Sequence, residues 1–179
     1  MITETQRLIL KEMSFNDYDD LYEVLADSDI MKHYPYTFDE KRVKRWISLN
    51  IERYSVYGFG LWKTELKENG EMIGNCGITM QNINGTIKPE LGYHIKKKYQ
   101  RLGYAKEASH ASLKWIFDNT PFKKIYSYMP KDNLASFRTA LSVGMKKDFE
   151  YVNPEGTRIM VCSIDKNDMN CKQSEDFHK

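Results

Sequence analysis

A basic loop that leads into a helix is the stretch of this sequence with the clearest chemical content. Residues 90–95 (Glu-Leu-Gly-Tyr-His-Ile) fit the end of a strand, residues 96–99 are Lys-Lys-Lys-Tyr, and residues 100–105 are Gln-Arg-Leu-Gly-Tyr-Ala. A helix N-terminus exposes unpaired backbone N–H groups and the positive end of the helix dipole, and small residues such as Gly103 and Ala105 let an anion come close. The pattern predicts a site for a diphosphate. It is not a P-loop, because no Gly-Lys-Ser/Thr follows, and not a dinucleotide fingerprint, because it has one glycine rather than three.

The composition indicates a single soluble domain. The chain has 179 residues, of which 41% are hydrophobic, and a net charge of +2, which argues against a polyanionic partner across the whole surface. No apolar run approaches the roughly 18 residues of a membrane span, and the N-terminus lacks the features of a signal peptide, so we expect a cytoplasmic protein. Three cysteines without a C-x-x-C pair, and histidines without ligand spacing, predict neither a disulfide framework nor a metal site.

Hydrophobic periodicity predicts an α/β fold built around a mixed sheet. Asn-Gly turns separate three consecutive strands, and a strand–helix–strand crossover follows, which requires parallel pairing. We expect residues 1–165 to form one domain and residues 166–179 a polar tail. The expected order is a strand at 7–10, two helices within 14–57, strands at 59–66, 72–81 and 86–95, a helix at 104–119, a strand at 124–129, a helix at 133–142, and a hairpin formed by 149–152 and 158–164.

Residues 100–105 resemble the Q/R-x-x-G-x-G/A coenzyme A loop of the GCN5-related N-acetyltransferases, the GNAT family. The resemblance extends over residues 7–164 and is nearest to the RimJ/RimL-like branch, which acetylates the amino termini of ribosomal proteins. Segments 5–8, 90–93, 133–136 and 144–145 also carry it. It implies a twisted, mostly antiparallel sheet of about seven strands flanked by helices, whose parallel strands 4 and 5 splay apart. It also implies acetyl-CoA as co-substrate, with no metal.

The resemblance further implies which residues hold the coenzyme. Backbone groups near Tyr93 and Ile95 are expected to bind the pantetheine amides, with Gly92 at a bulge, while Arg101 and Lys106 meet phosphates. Asn133 is expected to help bind the coenzyme, although asparagine is also a good N-cap. The expected coenzyme-binding set is Tyr93, His94, Ile95, Gln100, Arg101, Leu102, Gly103, Tyr104, Ala105, Lys106, Asn133 and Ser136. From the residues alone, two alternatives to a coenzyme site remain open. Gly103 is then only a turn residue, and the lysines at 96–98 form only a solvated loop.

Two residues are candidates for the general base. Glu90 lies thirteen positions before Gly103, close to where relatives carry a general base, but a structural carboxylate paired to a lysine is the alternative. His94 is a second candidate base, and it shares a face with Glu90 only if the strand does not bulge at Gly92.

For the general acid, many relatives place a tyrosine where this chain has Ala140. The RimJ/RimL-like branch has a serine three positions after the asparagine, and Ser136 matches it. Its hydroxyl either donates to the leaving thiolate or satisfies the first turn of the helix.

An aromatic loop that contains Tyr34, Tyr36 and Phe38 is expected to line the acceptor entrance together with Glu90, or else to plug the core. We expect the amine of the acceptor, a protein N-terminus, to attack acetyl-CoA directly in a ternary complex, on a monomer or homodimer. One alternative is acetylation of a small amine such as an amino acid, polyamine or drug. The other is a nucleic-acid-binding module based on the basic loop at 96–101, against which the balanced net charge argues.

Overall fold

The structure is a computed structural model that describes residues 1–34, 36 and 38–169. Within these residues, eight strands form one sheet and four α-helices pack on it. The strands are β1 (Thr3–Glu4), β2 (Leu8–Lys11), β3 (Leu61–Leu66), β4 (Met72–Ile83), β5 (Thr86–Ile95), β6 (Lys124–Pro130), β7 (Lys146–Val152) and β8 (Arg158–Asp165). The helices are α1 (Tyr18–Leu25), α2 (Glu40–Tyr57), α3 (Tyr104–Asn119) and α4 (Leu134–Ser142).

The sheet confirms the predicted mixed α/β fold. Its strand order is β1-β2-β3-β4-β5-β6-β8-β7, and β5 and β6 are its parallel pair, with the other neighbours antiparallel. The sheet has eight strands rather than about seven because the two-residue β1 is too short to produce a periodic signal. This extra strand also shifts the expected parallel strands 4 and 5 to β5 and β6.

The chain end differs from a simple polar tail. Residues 166–169 form a helical turn, and Met169 is buried in the core, only 4% exposed. The remainder of the expected tail, residues 170–179, lies outside the described residues. No helix in the part of the chain that the structure describes has the length and apolar character needed to cross a membrane.

Helices cover both faces of the sheet. Successive residues of a strand point to opposite faces. Leu61 of β3 packs with α1 and α2, whereas Trp62 packs with α3, where its ring lies 5.0 Å from that of Trp115. The sheet is therefore the middle layer of the molecule.

The β4–β5 hairpin is the element that presents Glu90. Asn84 and Gly85 have φ angles of 50° and 78°, the conformation of the tight turns that Asn-Gly favours in hairpins. From this turn the two strands pair without interruption as far as Gly74 and Ile95.

The predicted bulge at Gly92 is wrong, because Gly92 pairs with Gly77 within this regular ladder. A Cβ atom at Gly92 would lie 3.3 Å from Glu90 Oε2 and 3.5 Å from Leu61 Cδ2. Glycine thus makes room for the Glu90 carboxylate, and regular alternation places Glu90 and His94 on the same face of β5.

Strands β5 and β6 separate shortly after they meet. In the described ladder their one pairing joins Glu90 to Tyr126, and Ser127 Oγ donates to the Leu91 carbonyl oxygen at 3.1 Å. Beyond this point Gly92 to Ile95 continue along β4 alone. Their other edge faces a gap between the two strands.

Candidate active site

The start of α3 has the backbone features that favour binding of an anion. Gly103 is its N-cap, with a φ of 85°, and no side chain caps the helix. Arg101 also has a positive φ, 62°, so the loop turns tightly just before the helix. Uncapped N–H groups in the first turn are free to bind phosphate oxygens. Arg101 and Lys106 are exposed beside them.

Arg7 fastens this loop to the N-terminal strands. Its Nη1 donates to the Leu102 carbonyl oxygen at 3.1 Å, and its Nε donates to Glu107 Oε2 at 2.7 Å. Thr5 Oγ1 donates to Glu107 Oε1 at 2.6 Å, and the guanidinium lies 4.2 Å from the Tyr104 ring centroid. These contacts fix the loop and the first turn of α3. The sequence indicated residues 5–8 only through the family resemblance. Their role could not be predicted, because Glu107, which Arg7 binds, is about 100 residues away.

The three consecutive lysines are engaged in ion pairs. Lys96 is buried and binds Asp20 and Glu23, Lys97 binds Asp29, and Lys98 binds Glu71. The charge that the sequence places in one run is thus neutralised by carboxylates of α1, of the segment after it and of the β3–β4 turn.

Gln100 braces the strand end. Its Nε2 donates to the Ile95 carbonyl oxygen at 3.0 Å, which holds the loop against the end of β5. Leu102 is 55% exposed, and Ala105 is partly buried.

A second group of residues lies where α4 begins. Asn133 Oδ1 accepts from the Ser136 backbone N at 3.2 Å, so Asn133 caps the helix. Ser136 Oγ instead lies 3.1 Å from Tyr93 Oη, which also donates to the Ser136 carbonyl oxygen at 3.1 Å. Burial raises the pKa of Tyr93 to about 12, so its hydroxyl stays protonated at neutral pH. The pairing of Ser136 with the Tyr93 side chain was not predicted, because contacts between distant segments leave no sequence signal.

Glu90 lies on the opposite face of β5, where the strands separate. Burial raises its pKa to about 8, and two groups oppose this rise: Thr79, its neighbour on β4, by a hydrogen bond, and the positive charge of Arg53. The carboxyl group is only partly exposed. A carboxyl group with a pKa near 8 exchanges protons at the pH where amines also titrate.

His94 has both ring nitrogens engaged. Its Nδ1 lies 3.0 Å from Asn75 Oδ1, and its Nε2 lies 3.0 Å from Tyr34 Oη. The carbonyl oxygen of Asn75 requires a proton on Nδ1, so Nε2 accepts from the tyrosine hydroxyl. Burial lowers the pKa of His94 to about 4, which keeps the ring neutral. His94 therefore ties the loop that contains Tyr34 to β5.

Aromatic rings form the wall above Glu90. Tyr34 is half-buried and Tyr36 is 46% exposed, whereas Phe38 is 5% exposed and packs on Tyr34 and on Trp46 of α2, with ring centroids 5.6 and 5.5 Å away. Phe38 thus supports the wall from behind. Tyr128 of β6 faces Glu90 from the other side, and its pKa is raised to about 12 by burial and by the Glu90 charge.

The geometry fits a coenzyme with a diphosphate followed by an extended, amide-containing arm. The uncapped helix start with Arg101 and Lys106 suits the diphosphate, and the free edge of β5 between 92 and 95 suits the amides. Glu90 and Ser136 lie on opposite sides of that gap.

Comparisons with known proteins identify the family of this chain. The family described as the acetyltransferase (GNAT) domain matches residues 7–146. The uncharacterized protein YkkB of Bacillus subtilis (strain 168) is 34% identical over 142 residues, covering 79% of this chain and 83% of YkkB. The chain therefore belongs to the GNAT acetyltransferase family and is an acetyl-CoA-dependent acyltransferase.

Solved structures show the same fold. A GNAT-family acetyltransferase from Bacillus anthracis superposes with a TM-score of 0.80 at 23% identity, over 93% of this chain and 99% of the other. A putative ribosomal-protein-serine acetyltransferase from Vibrio cholerae gives a TM-score of 0.74 at 20% identity, over 90% and 95%.

Proposed function

We propose that this acetyltransferase modifies the N-terminal amine of a protein, as in the RimJ/RimL-like branch, and that it acts in the cytoplasm as a monomer or homodimer. The observation that carries the proposal is the position of Glu90, a carboxyl group of raised pKa beneath an aromatic wall at the point where β5 and β6 separate.

The composition of the cleft supports a peptide rather than a polycation. Among the described residues, Arg53 is the charged group that acts on Glu90, and no second carboxylate adds to the rise in its pKa. A polyamine or an aminoglycoside carries several cations, each of which needs a partner. Tyr34, Tyr36 and Tyr128 offer amphipathic contact surface to a chain with one amine.

In the proposed reaction, Glu90 accepts the proton that the acceptor nitrogen loses, directly or through a water molecule. The nitrogen forms a bond to the thioester carbonyl carbon, and the carbon–sulfur bond breaks. The Ser136 hydroxyl donates a proton to the leaving sulfur and takes one back from Tyr93 Oη, 3.1 Å away. Tyr93 is then reprotonated from solvent. Neutral His94 keeps Tyr34 in place and takes no part in the proton transfer.

The coenzyme is proposed to bind with its diphosphate at the first turn of α3. Gly103, Tyr104 and Ala105 supply backbone N–H groups, and Arg101 and Lys106 supply positive charge. The backbone of Tyr93 and Ile95 binds the arm, and Asn133 holds the start of α4 in place.

An acetylation assay with a panel of amines tests this function. Thiol release from acetyl-CoA is measured with peptides of free N-terminus, the same peptides with a blocked N-terminus, polyamines, an aminoglycoside and free amino acids. We expect turnover with free peptides and none with blocked ones. Turnover with polyamines or the aminoglycoside alone would show that the acceptor is a small amine rather than a peptide. Salt-dependent retention on RNA without any effect of coenzyme A would support the nucleic-acid alternative.

A further inference from the structure

Arg53 is a half-buried cation in the acceptor cleft that forms no ion pair with a carboxylate among the described residues. Its one described side-chain hydrogen bond runs from Nη1 to Asn50 Oδ1 at 3.3 Å, and that oxygen already accepts from the Leu61 backbone N at 2.9 Å. A guanidinium has five N–H donors, so most of its donors are available. By contrast, Lys63, which is also partly buried, binds both Asp17 and Glu65.

Two sets of contacts relate helix α2 to strand β5 in opposite chain directions. They indicate that Arg53 of α2 lies near Glu90 of β5. At one end, the rings of Trp46 and His94 lie 5.6 Å apart. In the middle, Asn50 binds the Leu61 backbone, and Leu61 Cδ2 lies 3.5 Å from the position of a Cβ at Gly92.

Residues 46, 50 and 53 share one face of α2, because they are spaced four and three apart. Arg53 is about 10 Å along the helix from Trp46, and Glu90 is about 13 Å along the strand from His94. Continued by one step, this spacing places Arg53 in the neighbourhood of Glu90. In agreement, each group acts electrostatically on the other.

We infer that Arg53 binds a carboxylate on the acceptor, so that the enzyme prefers amines that carry a nearby acidic group; this rests on the proposed acetyl transfer to an amine at Glu90. A cleft with a proton-accepting carboxylate and a guanidinium that has no ion-pair partner is complementary to a molecule with both an ammonium and a carboxylate. The carboxylate comes either from an acidic side chain at the first or second position of a peptide or from the α-carboxylate of a free amino acid.

Paired acceptors that differ in one charged group test this inference. The peptide pairs carry aspartate or asparagine at position 1 or at position 2, with a lysine peptide as the opposite charge, and the free pair is serine and serinamide. The measured quantity is the ratio of kcat/KM within each pair. This ratio cancels any general loss of rate that follows when a variant changes the pKa of Glu90.

The wild-type enzyme is expected to prefer the acidic member of at least one pair by about tenfold or more, the effect of one charge-assisted hydrogen bond. Arg53→Gln should bring the ratio to within about twofold, and Arg53→Glu should turn the preference toward the lysine peptide. Arg53→Lys keeps the charge and should keep part of the preference. This variant still tests the inference if the other two variants unfold. Arg45→Gln, on the exposed side of the same helix, is the matched control and should behave as wild type.

The pairs also separate the two sources of the carboxylate. A preference confined to serine over serinamide would support the role of Arg53. It would also show that the acceptor is a free amino acid rather than a peptide. Equal rates within every wild-type pair, or a preference that survives in folded Arg53→Gln, would overturn the role of Arg53 and leave the proposed function standing. The absence of acetylation of any amine would overturn both.

Discussion

Replacing Glu90 with glutamine is expected to stabilise the protein increasingly as the pH rises. Glutamine resembles the protonated carboxyl group in size and polarity but does not ionise. The pKa of Glu90 rises from an ordinary 4.5 to about 8 in the folded protein. The unfolded chain therefore loses this proton near pH 4.5, whereas the folded protein keeps it until about pH 8. Over that window wild type becomes less stable relative to the variant.

The size of the effect follows from the pKa. Each tenfold change in proton affinity corresponds to about 1.4 kcal/mol, and the effect levels off above pH 8, so the interval from pH 5.5 to 8.5 gives at most roughly 3 kcal/mol. Because the carboxyl group keeps some exposure to solvent, about 2 kcal/mol is the value we expect to remain. For a chain of this length that is a difference of roughly 4–8 °C in Tm.

Thermal unfolding of wild type and Glu90→Gln between pH 5.5 and 8.5 measures this difference. The exposed Glu52→Gln on α2 is the control, and its Tm difference from wild type should not change with pH. If the difference for Glu90→Gln were also the same at every pH, the carboxyl group would ionise normally, and burial would not control its chemistry.

The same variant tests catalysis. General bases contribute about a hundredfold or more, so kcat/KM at pH 8 should fall by at least that factor. The ratio of wild type to variant removes the titration of the acceptor amine, which both share. Since only about 1% of a group with a pKa of 8 is ionised at pH 6, this ratio should fall by roughly fiftyfold between pH 8 and pH 6. A ratio that does not change with pH would remove Glu90 from the proton transfer.

Further predictions concern the coenzyme loop, the proton donor and the acceptor loop. Gly103→Val forces a branched residue into a φ of 85° and places its Cβ 3.3 Å from Arg7 Nη2. This variant should abolish the rise in Tm that acetyl-CoA produces in wild type. The control Gly156→Val, with a φ of 80° in an open turn, should retain that rise. Ser136→Ala and Tyr93→Phe should each lower kcat about tenfold or more without changing that rise in Tm, and unchanged rates in both would assign the pair to packing. His94→Gln and Tyr34→Phe remove the same hydrogen bond and should raise the KM for the acceptor similarly, while the KM for acetyl-CoA stays constant. An effect confined to His94→Gln would show that this bond does not position the loop.

The sequence alone was sufficient for the fold, because its elements depend on local signals, and a local signal also underlies the prediction of the coenzyme loop. Asn-Gly pairs fix tight turns through their tolerance of positive φ, and alternation defines strands. The loop at 100–105 is continuous in sequence and leads directly into a helix, so its chemistry could be inferred without knowing what surrounds it.

Tertiary structure decided the contacts that join distant segments. Arg7 binds Glu107, Tyr93 meets Ser136, and Tyr34 meets His94, at separations of 100, 43 and 60 residues. Periodicity says which face a residue occupies but not which residue lies opposite it. The raised pKa of Glu90 is likewise a property of its burial in the folded chain, so the same glutamate on an exposed strand would be an ordinary acid.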